Sequence, residues 1–257
     1  MNNKHKAVQQ TFSASAEKYV DSALHAKGKD LQALAETINL TGEKKVLDIA
    51  TGGGHVANAL APLAKEVVAM DVTVEMLESA ETFIRGNGHG NVGFVEGDAE
   101  AIPFPDEAFD AAICRIAAHH FSRPDVFLQE TFRVLQPGSS FFLLDNTAPE
   151  ADMFDTFYNK VEKLRDPSHI RAWKKSEWIA KVEAVGFTVQ YVQRFRKTFE
   201  FQDWCDRLDV TEKTRTKLRQ NMVESPPSVQ QKFNIQYDGE GNVSSFDGES
   251  ILLHAGK

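Results

Sequence analysis

Three acidic residues stand at or near the ends of successive apolar runs, and a glycine cluster follows the first of them. That first run, VLDIA (46–50), carries Asp48 and leads into Thr51-Gly52-Gly53-Gly54. Glycines at such a turn permit positive φ and let a ligand approach the backbone. The N–H groups that open the next helix favour an anion. Gly52, Gly54 and Ala57 fit G-x-G-x-x-G/A, with Asp71 near the required spacing, which is also the dinucleotide fingerprint. Asp71 ends the run VVAMD, where a carboxylate accepts both hydroxyls of a ribose. Gly97-Asp98-Ala99 ends the third run. There a side-chain acceptor beside a backbone N–H matches the exocyclic amine and ring nitrogen of adenine. Each residue has a plainer reading, since Asp after a strand is commonly a turn former or helix cap. The three in order favour a ligand.

These groups need elements to hold them at one edge. Strand-like runs fall at 45–50, 66–72, 91–97, 109–116 and 139–145, and helical patterns at about 54–64, 73–86, 123–135, 150–165 and 176–185. Alternation of this kind, with near-continuous apolar strands, implies an α/β, doubly wound, mostly parallel sheet covered on both faces. Ligands of such sheets bind at the carboxyl ends of the strands. Residues 14–40 read as helices forming an N-terminal cap (1–41) on a core spanning 42–199. FTVQYVQRFRKTF (187–199) reads as a strand, 202–232 as helices and NIQYDGEGNVSSF as a hairpin. The segment 200–247 is expected to be a small insertion before a final strand, 248–257, within one domain.

With these motifs the chain resembles the class I S-adenosylmethionine-dependent methyltransferases, in the group similar to ubiquinone/menaquinone C-methyltransferases. VLDIATGGGHVA looks like the family's first motif and AMDVTVEML like its second; GDAEAIPFPDEAFDAAICRIAAHHF is similar to the third and fourth run together. The resemblance covers about residues 10–195 and implies a seven-stranded Rossmann-like sheet. It implies S-adenosyl-L-methionine as cofactor, with Asp71 on the ribose, Asp98 and Ala99 on the adenine, and the Gly52–Gly54 turn at the methionine end. Asp48 suits the cationic methionine portion. Ala50, Thr51, Gly53, Val72, Met76, Gly97 and Arg115 complete the expected cofactor contacts. Ala50 departs from the family, which usually has glycine there.

Methyl transfer from a sulfonium is an in-line displacement, so the acceptor must be held close and shielded from water. His119, His120 and Asn146 are the candidates for catalysis, with either histidine able to serve as a base near neutral pH. Tyr19, His25, Asp145, Asn146, Arg165, His169 and Arg171 are the candidates for binding the acceptor; Tyr19, Ser22 and His25 share one helical face. The cationic cluster suggests an anionic acceptor. Asp145-Asn146 could suggest a metal site, but Arg115-Ile116 stand where a further carboxylate is needed, so no metal is expected.

Composition narrows the alternatives. A net charge of −8 argues against broad nucleic-acid binding, although residues 160–219 hold 15 Lys and Arg against 9 Asp and Glu. No apolar run is long enough to span a membrane. Two cysteines, Cys114 and Cys205, form no disulfide framework, which favours the cytoplasm. The expected function is methylation of a small molecule. An NAD-dependent oxidoreductase and a non-catalytic S-adenosylmethionine-binding protein are the other readings.

Overall fold

The computed structural model of the chain describes residues 29–38, 40 and 42–257. Tyr19, Ser22 and His25 therefore lie outside the described residues. Helix α1 (Lys29–Thr37) precedes β1 (Lys45–Ile49), α2 (His55–Leu60), β2 (Glu66–Asp71), α3 (Val74–Gly86), β3 (Val92–Glu96) and β4 (Phe109–Arg115). Then come α4 (Pro124–Val134), β5 (Leu135–Thr147), α5 (Asp152–Arg165), α6 (Lys175–Val185) and β6 (Thr188–Glu200). The rest is α7 (Phe201–Asp206), α8 (Glu212–Val223), α9 (Pro227–Lys232), β7 (Gln236–Tyr237) and β8 (Val243–Gly256).

The main sheet has the order β3-β2-β1-β4-β5-β8-β6, and two-residue β7 pairs with β8 as an eighth strand. The pairs from β3 to β5 are parallel. β8 runs antiparallel to both β5 and β6. Alternate residues of each central strand enter opposite cores, as the pleat requires. Leu47, Met70, Cys114 and Leu143 face one layer, and Val46, Ala69, Ile113 and Leu144 face the other. This two-sided burial explains the continuous apolar runs.

The final strand departs from expectation. It begins at Val243, not at Gly248, because Val243 and Phe246 pack into a third core under α5, α7, α8 and α9. The second arm of the hairpin and the last strand are thus one element. β1 pairs with β2 on one side and β4 on the other, so the winding reverses between them. A crevice opens at such a switch point.

Candidate active site

A cavity of about 330 Å³ lies in that crevice. Asp48, Ala50, Thr51, Gly52, Gly53, Asp71, Val72, Met76, Gly97, Asp98, Ala99 and Arg115 line it. Gly54 does not. It stands beneath the turn, where an added Cβ would meet Ala80 Cβ and Ile84 Cδ1, each at 2.9 Å. Its contact with α3, not with a ligand, explains the glycine.

The turn is closed by the carboxylates beside it. Asp71 accepts the Gly52 N–H at Oδ2 and the Thr73 N–H at Oδ1, both at 2.9 Å. Burial raises its pKa against these bonds. Asp48 is 1% exposed and accepts the Thr51 hydroxyl at 2.6 Å and the Ala57 N–H at 3.1 Å. Its burial outweighs both bonds and lifts its pKa to about 7. Asp98 Oδ1 accepts the Glu100 N–H at 2.8 Å, which shapes the loop after β3. Glu100 in turn accepts from Ser122 and from the Arg123 backbone and side chain, tying that loop to the start of α4.

Ala50 adopts φ 56°, in the left-handed region. For an L-residue this costs roughly 1–2 kcal/mol, which explains why glycine suits the position in similar enzymes. Ala50→Gly is expected to stabilise the fold by about 0.5–1 kcal/mol, the released strain less the entropy that glycine adds to the unfolded chain. Urea unfolding of both proteins measures it, and a destabilised variant contradicts the strain.

The opposite wall comes from β4 and the α5–α6 connection. Ile116 has φ 54° and bends the chain out of β4, its N–H reaching Leu144 O at 2.7 Å. Arg115 donates to Asp30 of α1 at 3.0 Å, and Lys197 of β6 lies 2.8 Å from the other Asp30 oxygen. Burial opposes the charge on Asp30, but the two cations hold its pKa down at about 2. This ion triad fixes α1 and the Arg115 side chain together. Ile116, Ala117, His120, Phe121, Lys163, Ser168 and Ile170 complete the wall. The connection is stitched on by the Ile170 and Arg171 N–H groups, which both donate to His119 O.

Comparison with known proteins decides the family. A methyltransferase domain model matches residues 47–143. The uncharacterized methyltransferase YcgJ of Bacillus subtilis is 36% identical over 242 residues, covering 94% of this chain and 96% of its own. The chain belongs to the methyltransferases. The crystal structure of YcgJ superposes on the enzyme with a TM-score of 0.86, covering 89% of this chain and 97% of that one. BH2331 of Bacillus halodurans, a methyltransferase by assignment, is 52% identical with a TM-score of 0.87, covering 90% and 99% of the two chains. The C-methyltransferase UbiE of Rhodopseudomonas palustris is 26% identical over 216 residues, 79% of this chain and 83% of its own. The cofactor of this enzyme is S-adenosylmethionine. The chemistry of the cavity fits it, since its lining carboxylates, Asp48, Asp71 and Asp98, are groups that can pair with a sulfonium or ammonium and accept from ribose hydroxyls or an adenine amine.

Asp48 makes a pH test available. If the cationic end of the cofactor binds beside it, the ionised form is favoured, and binding then expels a proton wherever Asp48 is still protonated. Affinity for S-adenosylmethionine is expected to rise by about ten- to thirtyfold from about pH 5.5 to 8, since each pH unit below the pKa costs about 1.4 kcal/mol. The ligand-free fold is expected to show the opposite trend as pH rises. It loses stability between about pH 4 and 7, because the unfolded chain releases this proton earlier. Calorimetry on the enzyme and on Asp48→Asn measures the first effect; an equal slope in both would assign it to another group.

Several acceptor-side expectations change. Arg165 is turned away from the cavity: it donates to Trp204 O at 2.9 Å, lies 3.7 Å from Glu162, and covers the Trp204 ring. Arg171 is held by Asp155 and Glu177. His169 is 2% exposed, with Nε2 3.0 Å from Asn159 Oδ1, and burial followed by the nearby His119 and His120 drives its pKa to about 2. None of the three lines the cavity, so the cluster expected to attract an anion is spent on internal partners. His119, Asp145 and Asn146 do not line the cavity either. Among the described residues proposed for the acceptor, only His120 lines it. Ser168 and Ile170 lie in the 165–171 segment that sequence reasoning expects over the acceptor pocket, although it singles out Arg165, His169 and Arg171 there; Lys163 and Asp30 escaped the sequence reading, since no local pattern marks a helix lysine or a distant carboxylate as part of a site.

Proposed function

We propose that the enzyme transfers the methyl group to a small molecule that enters between the glycine turn and the His120–Ile170 wall. The observation that carries this is the division of a single cavity into two sides. One side presents Asp48, Asp71 and Asp98. The other carries Ile116, Ala117, Phe121, Pro167 and Ile170, with His120, Ser122, Lys163 and Ser168 as polar groups among them. A mostly apolar concavity with a few placed polar groups is the usual form of a small-molecule site.

In this reading Asp71 holds the ribose, Asp98 and Ala99 the adenine, and Asp48 with the Ala50–Gly53 turn the methionine end. Arg115, fixed by Asp30, faces the same end. When bound, the cofactor supplies a methyl group activated by its sulfonium. His120 is the group on the acceptor wall that can exchange a proton. We place the enzyme in the cytoplasm, in keeping with two buried free thiols, Cys114 and Cys205.

Cofactor labelled in its methyl group, incubated with the enzyme and separated pools of metabolites, protein and RNA, tests the reading. Label is expected among the metabolites. Label entering only the protein or RNA pool would refute it.

A further inference from the structure

His119 and His120 are neighbours in sequence but are held in opposite ways. The His119 N–H donates to Asp145 Oδ2 at 2.8 Å, and His119 Nδ1 lies 2.7 Å from Oδ1 of the same carboxylate. Asp145 is fully buried at the end of β5 and also accepts the Asn146 N–H at 2.8 Å. Such a carboxylate fixes the His119 ring and favours a second proton on it. Burial works against the charge, yet Asp145, with Glu162 and Asp166 of the next layer, raises the His119 pKa.

The His120 ring lies 4.1 Å from that of His119, centroid to centroid, and lines the cavity. Ser168 donates its one hydroxyl proton to Asp166 Oδ1 at 2.6 Å, so its oxygen accepts from His120 Nδ1 at 3.2 Å. A neutral His120 therefore carries its proton on Nδ1 and takes another at Nε2. Burial and then the charge of His119 lower its pKa to about 4. Among the described residues, the ionisable groups that act on it include His119, Asp145 and Asp166, whose Oδ2 lies 3.9 Å from His120 Nε2; His169 and, on the same cavity wall, Lys163 are close by.

We infer that His119 is a positioning residue: clamped to Asp145, it stands as a fixed positive charge behind His120, keeps that ring neutral, and so equips the cavity to take a proton from a neutral, hydroxyl-bearing acceptor. This rests on the small-molecule reading above and narrows it. The acceptor oxygen uses a lone pair to bond the methyl carbon, the carbon–sulfur pair stays on sulfur, and the O–H proton passes to Nε2 of His120. The positive charge that begins on sulfur ends on the imidazole. A hydroxyl that is gaining a methyl group becomes strongly acidic, so a weakly basic ring is sufficient.

The test is histidine-resolved NMR of the full-length enzyme saturated with S-adenosylhomocysteine. At pH 7 His119 is expected charged and His120 neutral with Nδ1 protonated. In H119N the His120 titration midpoint should rise by at least about one pH unit, a tenfold change in proton affinity. D145N should raise it as well, by removing the partner that keeps His119 charged. A neutral His119 in the native enzyme, or an unmoved His120 midpoint in either folded variant, overturns the inference. Failure of S-adenosylhomocysteine to bind the native enzyme would instead strike at the cofactor assignment. Panels of hydroxyl compounds and amines with labelled cofactor address the acceptor: label confined to amines overturns that half.

Discussion

Asp71→Ala is expected to weaken S-adenosylhomocysteine binding by about 10²–10³-fold while the sheet stays folded. The residue ends β2 and is 7% exposed. Its two oxygens organise the site by taking the Gly52 and Thr73 N–H groups. In the proposed function they also take the ribose hydroxyls. Charge-assisted bonds of this kind are worth roughly 1.5–3 kcal/mol each, so losing the pair on the ribose costs about 3–5 kcal/mol, or two to three orders of magnitude in Kd. Asp48→Asn is expected to cost less, because an amide oxygen can still accept from Thr51 or Ala57. Calorimetry at pH 8 on both variants makes the comparison. Equal losses, or a greater loss at Asp48, would move the ribose away from Asp71.

Gly54→Ala is expected to destabilise the enzyme by about 2–5 kcal/mol. Gly54 has φ 80°, and the left-handed conformation alone costs an L-residue roughly 1–2 kcal/mol. The new methyl would also stand 2.9 Å from Ala80 Cβ and 3.3 Å from the Ala80 Cα. The Ile84 tip can swing aside, but Ala80, fully buried on α3, cannot. Overpacking of this kind adds roughly 1–3 kcal/mol. Gly52→Ala is the control. It shares the positive φ, but the nearest atom to its Cβ is Met76 Cε at 3.8 Å. Urea midpoints should place Gly54→Ala well below Gly52→Ala; the reverse order would show that α3 does not press on the turn.

The contrast between these glycines shows where the sequence was informative. A run such as VLDIATGGG fixes a strand, a turn and their order, because apolar continuity and glycine both act locally. Asp71 and Asp98 could be placed by the same logic, each at the end of its own strand. The acceptor side obeys no such local rule. His119 and Asp145 meet across 26 positions, and Asp30 meets Arg115 across 85. Arg165, His169 and Arg171 looked like cations waiting for a substrate. A list of charges does not show that Glu162, Asp155 and Glu177 already face the two arginines. The start of β8 was misjudged for a related reason. Val243 and Phe246 look like hairpin residues until α5, α7, α8 and α9 supply a core for them.

The position of β8 sets the order in which the sheet can be completed. It lies between β5 and β6, yet it follows β6 in the chain by way of α7, α8 and α9. During synthesis β6 therefore emerges with its sheet partner still unmade and waits while α7, α8, α9 and β7 pass. Only when β8 arrives can twelve β6–β8 pairs form, from Thr188–Gly256 to Glu200–Ser245. Non-local pairing of this kind slows folding and leaves an unpaired edge open to other chains. Arg194, Arg196 and Lys197 lie on that waiting strand, and charge there discourages association with neighbouring nascent copies.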